Sequence, residues 1–369
     1  MHIGLVGLPQ AGKKTLLRLL TRVDASAAAP GAGVVPGVCP VRDPRVERLA
    51  ALYQPKKVTP ATIQYLLMPD LTKDSSKNQA LFRSLLNVDV LAAVVRAFTD
   101  EAVFHLEGSV DPMRDIDMIL AECLLNDLLF IEKRLERIAK ERTQRSGMDR
   151  AKEATVLEAC QACLNDNLPL RTLELGPGEQ KLLSGAPLLS RKPLLLILNV
   201  GEGEVRDRRL LEEIAQRYAV QRAESRARAS GPSRGIHIVQ VSAKIEEELA
   251  ALEDPAEHAA FLNELGIAES AIDGLTRVSY EALGLISYFT VGPDEVRAWT
   301  VRRGASAPEA GRVIHSDIER GFIRAELIKY GDLISLGSEQ AVAGAGKALL
   351  KGKEYVVEDG DILNFRFSV

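Results

Sequence analysis

Residues His2 to Val6, HIGLV, are a short apolar run suited to a buried strand. They lead straight into Gly7-Leu8-Pro9-Gln10-Ala11-Gly12-Lys13-Lys14-Thr15 and then the helical pattern LLRLLTRV. Strand, glycine loop and helix in that order open a parallel α/β domain, and nothing else in the chain limits the fold as strongly. The spacing matches GxxxxGK[ST] at Gly7, Gly12 and Lys13. Glycines let the backbone curl so that successive N–H groups face phosphate oxygens, the helix N-terminus adds positive potential, and the lysine reaches the β and γ phosphates. A plain strand-to-helix turn is the alternative, but the place after the first strand and the presence of Lys13 favour a nucleotide-phosphate site. The hydroxyl position of the pattern is held by Lys14. That hydroxyl normally ligates Mg²⁺, which an ammonium cannot do. The loop is therefore expected to hold phosphate through Gln10, Ala11, Gly12, Lys13, Lys14 and Thr15 while offering Mg²⁺ a poor site.

Four more apolar runs, Ile63 to Met68, Val90 to Val95, Leu194 to Leu198 and Ile236 to Val241, read as buried strands of a sheet covered on both faces. Polar residues follow two of them: Asn199-Val200-Gly201-Glu202 and Ser242-Ala243-Lys244. An Asn at the carboxyl end of a buried strand suits the reading of a purine edge in an open α/β sheet. Each segment alone is also an ordinary turn or helix cap. With the phosphate loop, in this order and each at a strand end, they mark the base side of a nucleotide site.

Between Asp115 and Asn165 leucine and isoleucine recur at helical spacing among charges, with a break near Ser146-Gly147, which predicts two long antiparallel helices forming a coiled-coil-like hairpin. Cys160 and Cys163 form a CxxC inside the second helix with no further Cys or His pair nearby, so helix packing is expected over metal or redox chemistry. After about Gly284 short alternating segments with turn signals predict a β-rich terminal domain, in which Trp299 reads as a core residue. His315, Asp317 and Glu319 alternate there, and a structural role is expected over acid/base or metal chemistry.

With 369 residues, two to three domains are expected. No apolar run is long enough to span a bilayer, and the N-terminus lacks a basic leader with an apolar core, so an unprocessed cytoplasmic chain with no membrane partner is expected. The formal charge of −4 conceals segregation: 206–234 holds eight Arg, 133–152 holds eight Lys and Arg, and 245–273 holds nine acids with no Lys or Arg. The two basic stretches are candidates for RNA contact, although such faces are more often simply solvated.

These residues reach a family. GLPQAGKKT, PVRDPRVERLA, VDPMRDIDMI, NVGE, VSAKIEEEL and the terminal stretches from ISYFTVGPDEV through GKEYVVEDGDILNFRFSV closely resemble the YchF/Obg-like ATPases over essentially the whole chain. The resemblance implies a P-loop NTPase domain of the Obg type at 1–114 and 184–282, a helical coiled-coil insertion at 115–183, and a β-grasp-like TGS domain at 283–369. It implies ATP over GTP, because Asn199-x-x-Glu202 replaces the guanine-reading motif. Val200 would contact the base through its backbone, and Ser242, Ala243 and Lys244 would form the second base-contacting loop. Ribosome binding is implied as well.

Against the family pattern three metal-associated elements have changed together. Lys14 replaces a Ser, the stretch 29–44 contains no Thr, and the family's Asp-x-Ala-Gly corresponds to Leu67-Met68-Pro69-Asp70. The next family loop, rich in Gly and Lys, is shortened to TKDSSKNQ. Phosphoryl transfer rests on positioning and on cationic neutralisation of developing charge, so weak or absent hydrolysis is expected. The alternatives are an active ATPase with replacement ligands, Asp70 among them, and an interaction module that needs no nucleotide. Lys14 beside Lys13 would partly neutralise a polyphosphate and make its binding metal-independent.

Overall fold

A computed structural model of the chain describes residues 1–25, 33–72, 74, 78–141, 147–218 and 235–368. The stretch 29–44, the shortened loop at 72–79 and both basic stretches lie partly outside these residues. The strands are β1 (His2–Val6), β2 (Val35–Pro40), β3 (Lys57–Thr59), β4 (Thr62–Leu67), β5 (Val90–Arg96), β6 (Leu194–Asn199), β7 (Ile236–Val241), β8 (Leu285–Thr290), β9 (Glu295–Arg302), β10 (Phe322–Lys329), β11 (Leu349–Lys351) and β12 (Asp361–Phe367). The described residues divide into two units, 1–37 with 64–218 and 235–275, and 38–63 with 276–368.

One sheet runs β2-β4-β1-β5-β6-β7, and β4, β1, β5, β6 and β7 pair in parallel along it. The five apolar runs of the sequence are its five parallel strands. Every residue of β5 and β6 is buried, which is why they read as unbroken apolar stretches rather than alternating ones. The carboxyl ends of β1, β4, β6 and β7 lie along one edge of the sheet, where ligands bind in open α/β folds.

Helices Pro112–Glu141 and Gly147–Asn165 form the expected hairpin. The first helix serves two cores: Ile116, Ile119 and Cys123 pack with the sheet cluster, whereas Ile131 and Ile138 pack with Val156, Leu157, Cys160 and Leu164. Arg134 joins the two helices through a two-pronged pair with Glu153, at 2.7 and 2.8 Å. Asp127 fixes the base of the hairpin, accepting the backbone N–H groups of Leu189 and Ser190 at 2.7 Å each.

The second sheet runs β11-β10-β12-β8-β9-β3, mixed in direction, with β3 parallel to β9 at its edge. Its core is Ile286, Tyr288, Val301, Phe322, Ala325, Leu327 and Leu363, against helix Ala307–Ile314. Trp299 packs against this core, as its reading expects, and is partly buried there. Its indole N–H donates to Thr290 Oγ1 at 2.9 Å, and the Arg297 guanidinium lies 3.8 Å from the ring centre. His315 caps helix Ser316–Arg320 by accepting the Asp317 N–H, so its alternation with acids has a structural cause.

Candidate functional site

The loop between β1 and helix Lys13–Thr21 has its shape because two residues lack a Cβ. Gly7 has φ +151°, and a Cβ there would collide with the Val94 carbonyl on the neighbouring β5; Gly12 has φ +96°, and a Cβ there would collide with the Asn199 amide. Gln10 also takes a left-handed conformation, at φ 61°. Helix Lys13–Thr21 begins at Gly12 with no side-chain cap and no acid in its first turn. Its N–H groups and dipole are thus oriented for an anion. A cavity of about 260 Å³ opens there, lined by Pro9, Gln10, Ala11, Gly12, Lys13, Lys14, Thr15 and Asp70.

Lys13 is 5% exposed. Its ammonium donates to the carbonyls of Gly7 at 2.8 Å and Leu8 at 2.5 Å, and it pairs with Asp70 Oδ1 at 2.7 Å. Burial pulls its pKa below the usual lysine value, an effect the Asp70 charge opposes. Lys14 is exposed and Thr15 half-buried at the rim.

On the base side, Asn199 is buried with both ends of its amide engaged. Nδ2 donates to the Ala11 carbonyl at 3.1 Å and Oδ1 accepts the Ala243 N–H at 3.0 Å. The residue is a strut between the phosphate loop and the loop after β7. Val200 is buried, and its N–H donates to the Val241 carbonyl at 2.8 Å. Glu202 and Lys244 form an exposed pair at 2.8 Å, which raises the Lys244 pKa. Ser242 is buried, and its hydroxyl has no hydrogen-bond partner among the described residues.

The donor set does not suit a divalent cation in the same way. Position 14 offers an ammonium, position 67 an apolar side chain, and the Asp70 carboxylate is paired with Lys13. Among the described residues no group of three His, Cys, Asp or Glu is placed to hold a metal. Sequence reasoning treated Asp70 as a lost glycine or a replacement metal ligand and missed its pairing with Lys13, because that contact is set by the fold and not by spacing along the chain.

Comparison with known proteins gives the family. The chain is 41% identical to the ribosome-binding ATPase YchF of Bacillus subtilis, with 99% of each covered. The chain belongs to the YchF family. It is 35% identical to the Escherichia coli O157:H7 protein of the same description, again with 99% of each covered. A solved structure, that of the Schizosaccharomyces pombe YchF GTPase, superposes with a TM-score of 0.82 at 31% identity, covering 99% of this chain and 97% of that one. The YchF-GTPase_C family model, described as a protein of unknown function (DUF933), matches residues 285–368.

Proposed function

We propose that the chain is a nucleotide-binding regulatory protein that associates with the ribosome and hydrolyses nucleotide weakly or not at all. The observation that carries the reading is the cradle itself: a loop shaped by Gly7 and Gly12 around the ammonium of Lys13, on an uncapped helix N-terminus, with an ammonium at position 14 and the Asp70 carboxylate paired with Lys13. Gln10 to Thr15 would receive the phosphates. Asn199 would hold the two loops in register, and Val200, Glu202, Ser242, Ala243 and Lys244 would border the base. Adenine is the expected base, with guanine the competitor. The domain reading is an NTPase domain with a helical insertion and a terminal TGS domain.

Ribosome association is supported by the description of the relatives as ribosome-binding ATPases. No helix among the described residues is long and apolar enough to cross a membrane, and a cytoplasmic location follows from the ribosomal partner in this reading. The basic part of the hairpin, with Lys133, Arg134, Arg137 and Lys140, is the candidate RNA contact. Contacts to phosphate release counterions, so co-sedimentation with ribosomes is expected to fall steeply with salt. Association that is absent or unaffected by salt would refute this part.

Calorimetric titration with ATP, ADP and GTP, with Mg²⁺ and with EDTA, beside a sensitive turnover assay, tests the remainder. Binding that survives EDTA with negligible turnover is the expected result. Turnover that requires Mg²⁺ would establish an active ATPase instead, and no binding of any nucleotide would leave an interaction module.

A further inference from the structure

The Asp70 carboxylate lies on the Lys13 ammonium, at the cavity that the phosphate loop lines. It follows β4, next to β1 in the sheet, and reaches over the phosphate loop to the head of Lys13 at 2.7 Å. A P-loop lysine contacts the β and γ phosphates, so an anion already on that ammonium occupies part of their shared site. Asp70 lines the same cavity as residues 9–15. Its side chain is 53% exposed while that of Lys13 is 4% exposed, so the carboxylate sits at the mouth and the ammonium behind it.

We propose that Asp70 is a built-in substitute for the γ-phosphate and makes this cradle select nucleoside diphosphates over triphosphates. The inference rests on the nucleotide reading above and names the ligand class of that site. A diphosphate can be received by the loop N–H groups and by Lys13, whose contacts to the Gly7 and Leu8 carbonyls are exchangeable neutral ones, while Asp70 stays in place. A triphosphate must either bring its terminal charge against the carboxylate or break the pair and leave Asp70 facing the polyphosphate. Like charges a few ångströms apart and partly withdrawn from water repel strongly, and the exposed Lys14 ammonium on the cavity wall offsets that repulsion only in part. The pair also supplies the charge that a buried lysine needs while the cradle holds no phosphate.

The test is calorimetric titration of the full chain with ADP and with ATP in EDTA and in Mg²⁺, repeated on Asp70→Asn and Asp70→Gly. The wild-type chain is expected to bind ADP at least about tenfold more tightly than ATP. In both variants ATP is expected to tighten at least about tenfold with a smaller change for ADP, so that the preference disappears or reverses. Circular dichroism of each variant establishes that it is folded. Equal or tighter ATP binding by the wild type, or a ratio unmoved by either substitution, would overturn the proposal and leave the nucleotide site standing. Tighter ATP binding that needs Mg²⁺ and is lost in Asp70→Asn would also overturn it, making Asp70 a metal ligand. If neither the wild type nor the folded variants bind any nucleotide, the nucleotide reading itself fails.

Discussion

Replacing Asn199 with Ala removes both hydrogen bonds that tie the phosphate loop to the loop after β7. Ala11 is 1% exposed and Ala243 6%, so their orphaned carbonyl and N–H have little access to water. Each unsatisfied buried group costs about 1–3 kcal/mol, and the pair should cost about 3 kcal/mol once partial relaxation is allowed. The assay is urea unfolding followed by circular dichroism, with hydrogen exchange at the two loops as the local readout. About 3 kcal/mol corresponds to exchange more than a hundredfold faster there. Gly12 makes the reasoning sharper, because a Cβ at that position would strike the same amide. Gly12→Ala alone carries that collision plus about 1–2 kcal/mol of left-handed backbone strain. In the double variant the collision is gone and only the strain persists. The two substitutions should therefore cost about 1–2 kcal/mol less together than the sum of their separate effects. A loss below about 0.5 kcal/mol for Asn199→Ala, or strict additivity with Gly12→Ala, would refute the strut.

Three further outcomes are expected. In the second unit Asp361 is fully buried and accepts from Lys329 at 2.6 Å, from the Tyr355 hydroxyl at 2.7 Å and from the Glu358 N–H at 2.9 Å. Lys329→Met should cost about 2–3 kcal/mol in urea unfolding, less than the roughly 3–5 kcal/mol of a fully enclosed pair, because the Lys329 side chain is 37% exposed. Glu309 accepts the Ser306 N–H at 2.7 Å in a capping box, which lowers its pKa from the ordinary 4.5. Its contribution is present above pH 4.5 and lost as pH falls through the lower folded value, so the stability gap between wild type and Glu309→Gln should be full above pH 4.5 and close as the pH falls below it. Burial pushes the Cys160 thiol up to about 11, so it should resist iodoacetamide at pH 8 in the native chain and react once urea unfolds the hairpin.

The parts of the fold that were legible are those whose signal is local. The strands of the first sheet announce themselves as apolar runs because both faces are covered, and the hairpin does so because one stripe of each helix is buried over many turns. Strand β3 carries no such signal. Lys57-Val58-Thr59 is three residues long, and it is a strand because β9, more than two hundred residues further on, offers it an edge. Propensity over three residues cannot specify that, since strand formation depends on the neighbour it pairs with. Trp299 shows the same limit: alternation in β9 marks a sheet residue packed on the core, but only the fold sets the Arg297 guanidinium over its ring.

At the candidate site the division follows chain distance. The glycines and Lys13 were readable because the phosphate cradle is built from consecutive residues. Asn199 was readable as a strand-end polar group, but its use was not, because a side chain amide between two loops is defined by backbone atoms of both. Asp70 is the instructive case. Read against a family pattern, it is a carboxylate where a glycine belongs, and so a lesion. Read as physics, a lysine buried to 5% exposure is stabilised by an anion that faces it, and Asp70, just past the end of the adjacent strand β4, supplies one at 2.7 Å. Loss of the glycine and gain of the ion pair are then a single change, and the same electrostatics that stabilise the cradle without phosphate set which phosphate chain it will accept.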